Sequence, residues 1–119
     1  DVIIVLGATN DSWAGSPIGE YKYEDWTPQD LYTFRPAMAY MLYHLKNRYP
    51  NTELYFVMNN ELKEEITSSC RELCARYGVK FIQLEGIDKI NGHPSIKGMQ
   101  QIADQVYSNL STLTDKQSK

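Results

Sequence analysis

Cysteine is scarce. The 119 residues contain two, Cys70 and Cys74. They stand four apart in a helical pattern, so they cannot build a disulfide framework. Without a second His/Cys cluster the spacing points away from a metal site. They read as core packing, since free cysteine is among the most buried residue types. Long apolar runs are missing too. None approaches the roughly 18 residues needed to cross a bilayer, and the run Val2-Ile3-Ile4-Val5-Leu6 is strand-sized. Nor is there an excess of basic charge. The chain has 12 Lys and Arg against 15 Asp and Glu, a net charge of −3. A general nucleic-acid binder needs a basic surface to displace counterions, so that class is disfavoured. No GxGxxG, Walker motif or acidic phosphoacceptor cluster follows a strand, which argues against a nucleotide-binding or regulatory domain. No repeat or low-complexity tract is present.

What is there has one domain's length, and 42% of it is hydrophobic. The continuous apolar run Val2 to Leu6 predicts a strand covered on both faces, as in a parallel sheet. A helix follows from Phe34 to Arg48, with Phe34, Met38, Leu42, Leu45 and Tyr49 on one face. Thr33 is placed to cap it, Pro36 is tolerable in its first turn, and Pro50 ends it. Glu53 to Met58 predicts a second buried strand. A helix from Glu61 to Tyr77 carries the stripe Leu62, Ile66, Cys70, Leu73, Cys74 and Tyr77, and Gly78 is its expected stop. Val79 to Leu84 predicts a third strand, and Glu85 to Gly92 a loop. Ser95 can cap a last helix with Met99, Ile102, Val106, Leu110 and Leu113 on one face. Residues 114–119 read as a polar, frayed tail. The order β-α-β-α-β-α predicts parallel strands joined by right-handed crossovers. The expected class is α/β: a flavodoxin-like three-layer α/β/α fold with a parallel sheet, truncated to three strands. Because the first core strand begins at Val2 with no methionine before it, the chain reads as cut from a longer one.

In an open parallel sheet, ligands bind beyond the carboxyl ends of the strands. Gly7-Ala8-Thr9-Asn10-Asp11, Asn59-Asn60 and Asp88 to Pro94 all fall there, which places Asn10 and His93 on one rim. An asparagine at that position either caps a turn or presents its amide to a developing oxyanion. His93, in Asn91-Gly92-His93-Pro94, has the intrinsic pKa range of a general base, or it is an ordinary loop residue. His44, mid-helix and off the apolar stripe, reads as a surface residue. The segment Gly7 to Asp30 shows no sustained period, and loops of this length are usually functional. Its Trp13, Tyr21, Tyr23 and Trp26 either stack on a sugar ring or cover the core.

The apolar strand running into Gly7-Ala8-Thr9-Asn10-Asp11 resembles the third sequence block of the SGNH (GDSL-like) hydrolases. That block reads Gly-x-Asn-Asp; here one more residue separates Gly7 from Asn10, unless Ala8 takes the glycine's place. His93-Pro94-Ser95, followed by Gly98-Met99 and Ile102-Ala103, is similar to the fifth block, where the catalytic histidine precedes a helix. The two blocks stand at opposite ends of a β-α-β-α-β-α stretch, as in that family, so the resemblance covers essentially the whole chain.

The resemblance implies roles. Asn10 donates its amide to the oxyanion, and His93 is the general base that relays the proton of a serine nucleophile. The substrate is a small-molecule or glycan ester, with Trp13, Tyr21 and Trp26 as substrate contacts, and no cofactor or metal is needed. The segment Trp13 to Arg35 is similar to polysaccharide-associated members, and the resemblance points to export, secreted or periplasmic, for the intact protein. Two departures stand out. The Gly-Asp-Ser nucleophile block and the glycine block of the second oxyanion donor are absent, and Ser12, Ser16 and Ser95 lack that setting. Residues 1–113 therefore read as the C-terminal part of an SGNH-hydrolase-like domain, inactive alone. The aspartate usual three residues before the histidine is replaced by Ile90, leaving Asp88 as the nearest acid. Without its upstream neighbour, the first strand becomes an apolar edge, and an edge invites pairing with a second copy or cover by a rearranged loop. The alternative function is a non-catalytic glycan-binding α/β module.

Overall fold

A computed structural model describes residues 1–8, 12 and 14–117, with side chains as far as Leu110. Its middle strand is β2 (Glu53–Met58), flanked by β1 (Val2–Gly7) and β3 (Lys80–Gln83) in the order β1-β2-β3, all parallel. Sequential order with right-handed crossovers puts the two connecting helices on one face. Those helices are α1 (Phe34–Arg48) and α2 (Glu64–Tyr77). Met38, Ala39, Leu42, Ile66, Cys70, Leu73 and Cys74 from them form the main core with Leu54, Phe56 and Met58. Successive side chains of a strand point to opposite faces, so Tyr55 and Val57 of β2 face the other way. They make a second cluster with Ile82, Leu84 and Ile87, against which Ile102, Val106 and Leu110 of α3 (Ile96–Gln117) pack. The result is a three-layer α/β/α arrangement around a parallel sheet.

Helix α1 and strand β2 fall on the expected residues, and the cysteines are buried as expected. Other local expectations change. Thr33 does sit before α1, but its hydroxyl donates to the carbonyl of Asp30 (2.7 Å) instead of capping a helix N–H. The N–H groups of Phe34 and Arg35 are taken by the carbonyls of Pro17 and Ile18, both at 2.8 Å. Helix α2 begins at Glu64, not Glu61, because Glu61 has φ +63° and belongs to a turn. Its far end is as expected: Gly78 adopts the left-handed conformation (φ 67°), and the N–H of Val79 returns to the carbonyl of Cys74 at 2.8 Å.

The segment after β3, expected as a loop, contains a short antiparallel hairpin, β4 (Lys89–Ile90) and β5 (His93–Pro94). It turns on Asn91 and Gly92, both at positive φ, as two-residue hairpin turns require. Met99 departs from its expected buried face and is 58% exposed; Gly98 is the buried residue of that first turn. Strand β2 is covered on both faces, but β1 is not: Val2, Ile4 and Leu6 remain exposed. Among the described residues no helix is long and apolar enough to cross a membrane.

Candidate active site

The carboxyl ends of the parallel strands lie in register, with Gly7 opposite Met58 and Met58 opposite Gln83. The segments leaving them are held together by side chains. The loop after β1 is fastened through Ser12, which is buried; its hydroxyl accepts the N–H of Lys63 (2.9 Å), and its own N–H donates to the carbonyl of Ala8 (3.1 Å). The hairpin after β3 is fastened through Lys89, whose Nζ donates to the carbonyl of Asn60 (3.1 Å) and lies 3.6 Å from the Glu61 carboxylate. Both loops are therefore attached to one short stretch, residues 60–63. The Gln83 side-chain amide adds donations to the carbonyls of Asn59 and Leu84, each 3.1 Å. Asn60 Oδ1 and Gln83 Oε1 are buried at this rim with no hydrogen-bond partner among the described residues. Asn59-Asn60 was placed on the rim by the strand-end rule. Gln83 and Lys89 were not singled out, and Ser12 only as a serine without the nucleophile's setting, because their long-range partners alone give them this role.

His93 is exposed on β5, opposite Ile90, which is itself 65% exposed. The hairpin that carries it is closed onto α3. Ser95 accepts the N–H of Gly98 at Oγ (3.0 Å), which makes it the helix cap that its sequence position suggested. Its hydroxyl donates to the Asp88 carboxylate, and its N–H to the Asp88 carbonyl at 3.0 Å. The N–H of Asp88 donates to Gln101 Oε1 at 2.7 Å. Asp88 thus shares the hairpin with His93, and its carboxylate is engaged by Ser95. Gly98 permits this closure: a Cβ there would collide with the carbonyl oxygen of Asp88.

Tyr21 and Trp26 belong to another grouping, on the flank of α1. The indole N–H of Trp26 donates to the carbonyl of Lys22 (2.9 Å), and its ring meets those of Tyr40 and Tyr43 at 5.4 Å each. His44, exposed as expected, sits 4.3 Å from the Tyr40 ring. The Arg35 guanidinium lies 4.2 Å over Tyr21, which stacks on Tyr23. Both Tyr21 and Trp26 also pack against the main core. Asn10 and Trp13 lie outside the described residues. Among the described residues no group of three or more His, Cys, Asp or Glu side chains is arranged to hold a metal ion. Burial pushes the Cys74 thiol up to about 12, which leaves it no thiolate at neutral pH.

The family model for GDSL-like lipase/acylhydrolase matches residues 1–110. Two crystal structures of proteins named as GDSL-like lipases are similar to the chain. The one from Bacteroides ovatus ATCC 8483 is 57% identical with a TM-score of 0.91; the match covers 94% of this chain and 54% of that one. The one from Bacteroides uniformis ATCC 8492 is 53% identical with a TM-score of 0.92, covering 94% and 53%. The chain thus spans about half the length of the solved relatives it matches. None of the curated proteins matches.

Proposed function

The chain belongs to the GDSL-like lipase/acylhydrolase family, and from that premise we propose that it supplies the histidine and oxyanion-binding part of a serine ester hydrolase. Residues 1–113 are the C-terminal part of such a domain in this reading, and the serine comes from elsewhere in it. The observation that carries the reading is the shared anchorage of two loops. The loop after β1, which contains Asn10, and the hairpin presenting His93 are both attached to residues 60–63 at the carboxyl end of the sheet.

The chemistry follows from the roles. A serine hydroxyl adds to the ester carbonyl and passes its proton to His93, while the Asn10 amide donates to the oxyanion. On collapse the bond to the alcohol oxygen breaks, and His93 returns the proton to the leaving alkoxide. Water then repeats the addition, with His93 again as base, and the acid departs. Asp88 acts as a positioning residue, closing the hairpin through Ser95. The substrate class is an acyl or carbohydrate ester.

The test is hydrolysis of p-nitrophenyl acetate. This chain alone stays near background, and His93→Ala changes nothing. In a complete domain His93→Ala removes about three orders of magnitude or more from kcat, as loss of a residue acting in a catalytic unit does. Strong His93-dependent turnover by the isolated chain overturns the missing-serine argument.

A second reading, glycan binding without chemistry, has one observation in its favour. Trp26 stands beside Tyr40 and Tyr43, which are both 40% exposed and form an aromatic surface. Glycan affinity lost on Trp13→Ala, Tyr21→Ala or Trp26→Ala, in a complete domain that turns over no ester, selects it.

A further inference from the structure

We propose that the outer flank of α1 is a second binding site, remote from His93, for the pyranose rings of a neutral polysaccharide. Its use, to hold a polymeric ester while the rim acts on it, rests on the hydrolase reading; the binding itself does not. A helix at a protein surface normally turns polar side chains outward. Here the outward turn of α1 carries Tyr40 and Tyr43, each 40% exposed, with His44 exposed beside them. Trp26 is laid against these rings and fixed there by its indole N–H, which donates to the Lys22 carbonyl at 2.9 Å. It meets Tyr40 at 89° and Tyr43 at 53°, and edge-on or tilted contacts of this kind leave ring faces open. Tyr77 continues the group onto α2. Its ring lies 6.3 Å from that of Tyr23, and burial foremost raises its hydroxyl above the ordinary value, with the Arg76 charge and the Tyr23 and Tyr43 phenols also acting on it. The Arg76 guanidinium ends the row, 3.9 Å over the Tyr23 ring.

The chemistry of this surface selects its occupant. A contiguous exposed patch rimmed by polar groups marks a binding surface. A pyranose presents an apolar C–H face edged by hydroxyls that both donate and accept. Arg76 supplies donors, and among the described residues no carboxylate is paired with it. Glu24 and Asp25, exposed between Tyr23 and Trp26 in the chain, supply acceptors. A rim of both signs on a chain of net charge −3 matches neutral hydroxyls better than a uronate, a phosphate or a nucleic acid. The site also stands well away from the rim. Residues 60–63, which hold both rim loops, directly precede α2. From Glu64 to Arg76 that helix extends about 18 Å at about 1.5 Å per residue. One sugar unit cannot span that distance; a polymer can.

The experiment measures the affinity of this chain for soluble galactomannan, xylan and polygalacturonate by calorimetry. We expect binding to a neutral polymer that added salt leaves unchanged. Tyr40→Ala combined with Tyr43→Ala should weaken it at least about tenfold, as loss of stacked aromatic area does. Tyr43→Phe should retain it, and circular dichroism melts show that each variant is folded. In a second arm the chain is joined to the portion of the Bacteroides ovatus protein outside the match and given acetylated galactomannan or p-nitrophenyl acetate. The double substitution should raise KM for the polymer far more than KM for the small ester, which does not extend to α1. Binding to none of the three polymers overturns the proposal, as does binding that the double substitution leaves intact. Binding to polygalacturonate alone, abolished by salt, overturns it too. So does a dimer by light scattering that the double substitution breaks, because the rings are then cover between copies. Ring-dependent glycan binding in a joined chain that hydrolyses neither ester leaves the site standing and overturns the hydrolase reading instead.

Discussion

The backbone N–H of Lys63 donates to the hydroxyl of Ser12 at 2.9 Å, joining positions 51 residues apart. Lys63 immediately precedes α2, and Ser12 lies in the loop that leaves β1, so this bond sets the loop against a helix start. The hydroxyl thus accepts a bond that holds the loop. Ser12→Ala leaves a part-buried N–H without its partner, at a cost of about 1–2 kcal/mol. Urea unfolding of the chain should show the loss, and kcat of a complete domain should fall with it, since Asn10 shares the loop. An unchanged midpoint with abolished turnover would instead assign Ser12 to the chemistry.

Gly98 and Asp88 make the second critical contact. An added Cβ would collide with the Asp88 backbone oxygen, which cannot swing aside as a side-chain tip can. Gly98→Ala therefore displaces the start of α3 from the hairpin, with overpacking of about 1–3 kcal/mol. Because His93 rides on that hairpin, turnover in a complete domain should drop by about a hundredfold, the scale of a 1 Å misplacement. Thermal melts and kcat are the measurements. A lowered melting temperature with kcat intact would separate the cap from the positioning of His93.

Much of the architecture was legible, and the misses have physical causes. Helix α1 showed because its apolar stripe keeps the helical period and Pro50 stops it; β2 showed as an unbroken apolar run. The run in β1 looks the same, yet among the described residues β1 has a neighbour on one side only; that edge was expected from the resemblance, not from the run itself. Residue type reports a tendency to be buried, whereas the place of a strand in a sheet is a tertiary fact. The β4–β5 hairpin did carry a signal, Asn91-Gly92, but its two-residue strands are too short to show a period. Met99 was misplaced because the close approach of Gly98 to Asp88 sets the rotation of α3, and that contact spans ten residues. At the site, the strand-end rule put the His93 segment on the rim, but the bonds from Ser12 and Lys89 to residues 60–63 are invisible to local pattern.

The cysteines give a test of the core. Cys70 and Cys74 are fully buried, and burial pushes the Cys74 thiol up to about 12. At pH 8 neither should react with Ellman's reagent faster than the chain unfolds, and both should react at once in denaturant. A fast stoichiometric reaction in the native state would contradict the packing of α2 against the sheet.

Asp30 gives the pH dependence. Its Oδ2 accepts from Lys22 Nζ at 2.6 Å and from the N–H of Thr27 at 2.8 Å, and these bonds, the Lys22 one foremost, hold its carboxyl at about 2 instead of 3.8. The folded chain therefore keeps Asp30 ionised to lower pH than the unfolded chain. Between 3.8 and about 2 the unfolded state binds a proton that the folded state refuses, so this contribution is complete above the window and lost as pH falls through it. The group is partly exposed, so the effect is small and screened by salt. The bonds order residues 22–30, the stretch that sets Trp26 against α1. Asp30→Asn should lower the urea midpoint by a constant amount above about pH 5, and the gap to the unmodified chain should close as pH drops towards 2. A gap that is the same at both ends of that range would mean that the carboxylate's charge contributes nothing and that its geometry alone holds the loop.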